Sequence, residues 1–277
     1  MHQIGQLNKH GCVAQLVAQL TLNQLVEGSS PSTPTILKDP RGSFLYSEGE
    51  MMSNRLVEVF AGAYASGKSE TALNRARQFA IAQKPITLVD LDSVEPAYTL
   101  RPIAKELEAM GINVVTQPDN FGLGEAASYV TSAQINCLNN EGDIIIDVGY
   151  GAGGLDILDI INNIGEEKKL KIYLVVNTAK FETSSVENII EYVTFSEGLE
   201  KRPWKKFAGV ISNTHFGDET TKEDIINGYN KLKKACEIIN LPIVAIGVDE
   251  KLALDFDTKY DNVDIWIYKR MMPKAFW

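Results

Sequence analysis

The sequence predicts an α/β domain, a mostly parallel sheet with helices on both faces. Three observations lead there. Short runs of near-continuous Val, Ile and Leu recur, and segments of helical period alternate with them. A glycine-rich loop, residues 62–69, separates the first run from its helix. Carboxylates stand at the ends of later runs, as at Asp90 and Asp147.

The elements follow in order. "RLVEVFA" (55–61) is a strand bounded by glycine, and "TALNRARQFAIAQK" (71–84) has helical periodicity. "PITLVDLD" (85–92) is the next strand, "GEAASYVTSAQINCLNN" (124–140) a helix and "DIIIDVG" (143–149) a strand. Residues 171–177, 206–213 and 241–247 are three more strands, with helices at 183–196 and 221–239 between them. Residues 264–268 alternate as an edge strand does, and Pro273 breaks any helix beyond. Trp266, Met271, Phe276 and Trp277 are therefore expected to pack on the domain and not to form a membrane anchor.

The first fifty residues read differently. As protein, 14–20 would make a short amphipathic helix before a Ser/Pro linker. Yet residues 13–19 and 28–31 admit codons that look like the D-arm and T-loop of a transfer-RNA gene. Residues 11–13 and 32–35 admit complementary codons that would pair. "SEGEMM" (47–52) can encode a ribosome-binding sequence before two ATG codons. Residues 1–50 are thus expected to be a non-native or disordered extension. Residues 51–277 are expected to be the working domain, starting at Met51 or Met52. A disordered or targeting segment is the alternative for 1–50. Upstream genomic DNA without a tRNA gene would sink the extension reading.

Composition excludes several classes. The chain of 277 residues is 44% hydrophobic and 23% charged, as globular domains are. Its net charge of −9 argues against a nucleic-acid footprint, which needs a basic face. Cys12, Cys137 and Cys236 are far apart and form no metal-ligand pair or disulfide framework. No apolar run reaches the roughly 20 residues of a membrane span. A cytoplasmic protein with no membrane or nucleic-acid partner is expected. Beyond residue 50 the only histidine is His215, which leaves no histidine pair or Ser-His-Asp triad there.

Chemistry is expected at the carboxyl ends of the strands. The first end is Gly62, Ala63, Tyr64, Ala65, Ser66, Gly67, Lys68, Ser69, which matches G-x-x-x-x-G-K-[ST] between strand and helix. Its amides, with those at the start of the helix including Glu70, would point at phosphate oxygens. Lys68 would place a cation between the β and γ phosphates, and Ser69 a hydroxyl on Mg²⁺. The second end is "DIIIDVGYGAGG", where Asp147 would hold Mg²⁺ and Asp143 is structural. The third is "LVDLDSVEPAYTLR". There Asp90 and Asp92 would orient the attacking water, and Asp90 would also support the metal. Arg101 is read as a surface residue.

In this combination the chain resembles the CobQ/CobB/MinD/ParA group of P-loop nucleotide-binding proteins (SIMIBI-type), over roughly residues 54–250. The resemblance implies a single P-loop NTPase domain, an Asp-x-Asp switch at Asp90 and Asp92, and a base-reading Asn at Asn213 in "GVISNTH". It implies a segment packing on the base at "AIGVDE" (245–250). The lysine that MinD and ParA members carry after the first glycine is replaced by Ala63, which puts a nucleotide-sandwich homodimer in doubt.

The base reader argues for ATP. A guanine site presents Asn-Lys-x-Asp, and neither "NTHF" (213–216) nor "NTAK" (177–180) has that carboxylate. The expected protein is a slow Mg²⁺-dependent ATPase, a nucleotide switch acting on a protein partner. The alternative is a synthetase or kinase-like enzyme acting on a small acid. That would need a basic or polar pocket near 63–66, to which Lys180, Arg202 and His215 would contribute. His215 is otherwise a surface loop residue.

Overall fold

The computed structural model describes residues 55–92, 100–117, 130–197 and 202–272. The chain divides into two units between Ser47 and Glu48, and every described residue belongs to the second. The extension read at 1–50, residues 124–129 of the expected helix, Phe276 and Trp277 lie outside the described residues.

The strands are β1 (Val57–Gly62), β2 (Ile86–Leu91), β3 (Asn113–Val115), β4 (Asp143–Val148), β5 (Leu170–Val176), β6 (Phe207–Ser212), β7 (Ile243–Asp249), β8 (Lys259–Tyr260) and β9 (Val263–Tyr268). They form one sheet in the order β3-β2-β4-β1-β5-β6-β7-β9-β8. All pairings are parallel except β8 with β9. The main helices are α1 (Lys68–Ile81), α2 (Ala104–Ala109), α3 (Ser132–Ile135), α4 (Ala152–Asp156), α5 (Val186–Ser196) and α6 (Lys222–Ile239). The predicted doubly covered α/β sheet is what the chain forms.

Alternation along β1 explains the two cores. Val57, Val59 and Ala61 join the face where Ile189 of α5 and Leu232 of α6 pack. Phe60 joins the other, with Ala72, Leu73, Ala76 and Phe79 of α1. Met271 packs into that second core and Trp266 lies against it, as expected.

Glu58 also faces α1. It is 3% exposed and bound twice by Arg75, at 2.8 and 3.1 Å. The guanidinium stacks 4.7 Å from the Trp266 ring and 4.8 Å from Phe79. Removing one partner of a buried pair strands the other charge, which costs roughly 3–5 kcal/mol. Arg75→Ala is therefore expected to lower the stability read by urea unfolding. The double variant Glu58→Met, Arg75→Met should recover most of it. Equal stability of wild type and Arg75→Ala would refute the arrangement.

Three expectations are corrected. The helix over 124–140 is cut: Thr131 and Gln134 form a capping box that starts α3, which ends at Ile135. Asn136 and Asn140 side chains then take backbone carbonyls at 2.8 Å each, competing with helix continuation. Strand β9 is not the edge, because Asp261 and Asn262 (φ 51° and 63°) make a two-residue turn that adds β8 outside it. Strand β7 runs two residues beyond the apolar run and carries Asp249 to the sheet's carboxyl end, level with Tyr268.

Candidate functional site: a phosphate-type loop over three aspartates

Register assembles the site. Phe60, one turn of chain before the loop, pairs with Asp147 of β4, and Asp147 pairs with Asp90 of β2. The loop after β1 thus opens above two carboxylates from neighbouring strands. Gly62 allows it to fold back, since a Cβ there would collide with Ser66 Oγ and the Val175 carbonyl. Ala65 takes a left-handed φ of 52°, a local strain of order 1–3 kcal/mol. Gly67 (φ 83°) caps α1, and a side chain there would strike Asn213 Nδ2.

Lys68 points into the acidic floor. It is 9% exposed, with its ammonium 3.2 Å from Asp92 Oδ2. Burial works against its charge, but Asp147, Asp92 and Asp90 outweigh it and hold the ammonium above its ordinary value. Asp147 is fully buried, and neither of its carboxylate oxygens has a hydrogen-bond partner. Burial pushes its pKa up to about 8 despite the neighbouring Lys68. The Ser69 hydroxyl is close enough to favour the charge without reaching hydrogen-bond geometry.

Two orphaned carboxylate oxygens in a buried site beside a hydroxyl are what a hard cation satisfies. Asp147 and Ser69 therefore fit Mg²⁺. Among the described residues there is no group of three or more His, Cys, Asp or Glu around a metal position, so a cation here takes its other ligands from phosphate and water.

Asp90 differs from expectation. Its Oδ1 accepts the Asp92 amide at 3.0 Å, and its Oδ2 accepts the Leu100 amide at 3.2 Å and the Thr116 hydroxyl at 3.4 Å. Burial, then Asp92, raises its pKa to about 6. Both oxygens accept hydrogen bonds, so Asp90 shapes the turn that presents Asp92. Arg101 is half-buried and lowers the Asp90 pKa; it is not a simple surface residue. Asp143 is structural, accepting the Leu56 amide at 2.7 Å.

Glu70 also differs. Its carboxylate accepts the amides of Met271 (2.7 Å) and Met272 (3.3 Å), so its side chain ties the segment after β9 to the first turn of α1. Only its backbone remains for a ligand.

Asn213 lies beneath the loop and donates to the Ser66 carbonyl at 2.8 Å. It lines a cavity with Gly67, Thr214, His215, Gly247 and Asp249. Gly247 and Asp249 of the segment "AIGVDE" thus lie beside Asn213. The free volume is only about 60 Å³, so a nucleobase would enter as the flanking loops give way. His215 lies on the loop after β6 with its side chain half-buried in this cavity. Burial, with Lys180 and Arg270 nearby, depresses its pKa to about 4, so the ring is neutral near pH 7. Arg202 is instead held by Asp159 at 2.6 Å.

Two contributors lie in segments that the sequence pointed to without singling out the residue. Asn177 is fully buried at the end of β5, contacts the Ala65 carbonyl at 3.5 Å and accepts the His215 amide at 3.3 Å. It positions the loop against the segment after β6, and its place after an apolar run was the available signal. Asp249 brings to the Asn213 cavity the carboxylate that residues 213–216 lack. Its Oδ1 caps the Lys251 amide at 2.9 Å.

Fold and site together define an α/β domain of the P-loop NTPase type. No family model matches the chain, and no curated protein does. Among solved structures it is similar to the signal recognition particle receptor FtsY from Elizabethkingia anophelis, at 18% identity over 72% of this chain and 61% of that one, TM-score 0.49. It is similar to cell division protein FtsY from Thermotoga maritima, at 18% identity over 70% and 62%, TM-score 0.44. It is also similar to a nucleotide-binding protein from Archaeoglobus fulgidus solved with ADP, at 14% identity over 73% and 88%, TM-score 0.44. The chain spans less than two thirds of the length of these FtsY structures.

No helix among the described residues is long and apolar enough to cross a membrane.

Proposed function

We propose that this protein is a slow Mg²⁺-dependent ATPase of the SIMIBI-type P-loop class, related to the CobQ/CobB/MinD/ParA group, whose nucleotide state acts on a partner. The observation that carries the reading is Asp147. Its two buried, unpartnered oxygens lie beside Lys68, under a loop whose residues match a phosphate cradle. Bound between Ser69, Asp147 and the phosphates, Mg²⁺ would neutralise charge on the transferring group. Lys68 would bind the β and γ oxygens. Asp92, now paired with Lys68, would be released to orient water as the ammonium turns to phosphate.

The small-acid enzyme reading loses support. Among the described residues, the pocket bordering Ala63 and Tyr64 is lined by Glu182 and Glu191 and by no Lys or Arg. An anionic substrate would be repelled there.

The base follows from the Asn213 cavity. Residues 213–216 favour adenine, while Asp249 is the group able to accept from guanine N1 and N2. Competition of ATP and GTP for the full chain, in wild type and Asp249→Asn, tests the assignment. ATP is expected to bind more tightly in both. A GTP preference that Asp249→Asn abolishes would overturn ATP in favour of GTP.

A further inference from the structure

A separate cleft shares no lining residue with the Asn213 cavity and encloses about 600 Å³, the size of a small-ligand site. One wall is the loop itself, at Ala63 and Tyr64, with Tyr150 beyond β4. The other is the segment before α5 and the exposed face of that helix.

Five aromatic rings line it: Tyr64, Tyr150, Phe181, Tyr192 and Phe195. Tyr64 and Tyr150 meet edge to face, 5.4 Å between centroids. Phe181 is 85% exposed and Phe195 65%, an unusual amount of bare aromatic surface beside a phosphate-type loop. Among the described residues, the ionisable side chains of fixed charge in the lining are Glu182 and Glu191, both exposed.

Ring faces carry negative potential, and two carboxylates add formal negative charge, with no cation among the described lining residues. An anion is disfavoured by both, and a purely apolar ligand would leave the carboxylates unused. We propose that this cleft is a binding site for an organic cation, an ammonium or guanidinium group on an apolar body. Its bound position borders Ala63, next to where the loop would place the terminal phosphate. The cation can come as a free small molecule or as a basic side chain of a polypeptide. The recognition chemistry is the same for both, and it does not depend on which nucleotide the loop holds.

The test is calorimetric titration of the full, nucleotide-free chain with benzyltrimethylammonium, its neutral isostere neopentylbenzene at its solubility limit, phenylacetate, and the capped tripeptide acetyl-Gly-Arg-Gly-amide. Saturable binding of a cationic probe is expected, with the neutral and anionic probes at least about tenfold weaker. Glu182→Gln combined with Glu191→Gln should weaken the cation roughly tenfold or more. Both positions are exposed, so the variant should fold. Tyr64→Leu should weaken it further through loss of a ring face. Tighter binding of the tripeptide assigns the site to a polypeptide side chain, and tighter binding of benzyltrimethylammonium to a small molecule. Either result supports the proposal. No saturable cation binding, equal binding of phenylacetate, or affinity unchanged in the Gln variant would overturn it.

Discussion

Lys68→Ala is expected to reduce ATP binding to the limit of detection. The lost charge-assisted contact to β and γ oxygens is worth roughly 1.5–3 kcal/mol on a conservative count, or about 10- to 150-fold in affinity. The structure adds a second loss. Lys68 is the cation paired with Asp92 at 3.2 Å, with Asp90 and Asp147 beside it. Without it, an anionic ligand would meet an uncompensated acidic floor. Raising Mg²⁺ should restore part of the binding, because a divalent ion offsets the same carboxylates. Calorimetry with ATP and Mg²⁺ checks this. Equal affinity in wild type and variant would remove the nucleotide site from the loop.

Slow turnover is the second expected result. Phosphate release by the protein alone should fall far below the ~10 s⁻¹ of a median enzyme. The loop has Lys68 but no second lysine, since that position is Ala63, and no arginine. A charge-stabilising arginine, where present, is worth roughly 10³–10⁵ in rate. Asp92→Asn should keep ATP bound and slow release further. Asp147→Asn should instead weaken the Mg²⁺-dependent part of binding. Because burial raises the Asp147 pKa to about 8, its carboxyl holds a proton at neutral pH that competes with a cation. Mg²⁺-dependent affinity should therefore fall as pH is lowered from 8 in wild type, and be flat in Asp147→Asn. A basal rate of several per second would mean that the site is complete without a partner.

The sequence by itself determined the sheet, the loop and the strand-end carboxylates. Each is local information. A β-branched run such as "DIIIDV" specifies a buried parallel strand whatever surrounds it. The glycine spacing of 62–69 permits only a narrow set of backbone paths between strand and helix. Register with β1 and β2 then followed from the runs themselves, so Asp147 lies where a reader of β4 alone would place it.

Only the tertiary structure decided what each carboxylate does. Asp90, Asp92 and Asp147 look alike in sequence, yet Asp90 accepts amides from Leu100 and Asp92, Asp92 faces Lys68, and Asp147 is buried with no hydrogen-bond partner. Glu70 reads as part of the phosphate loop until the segment after β9, some 200 residues on, claims its side chain. Asp249 reached the Asn213 cavity because β7 pairs with β9 past the end of its apolar run. Hydrogen-bond partners and desolvation are set by groups distant in sequence. Strand propensity and turn geometry are set by neighbours, which is why the scaffold was legible and the division of labour within it was not.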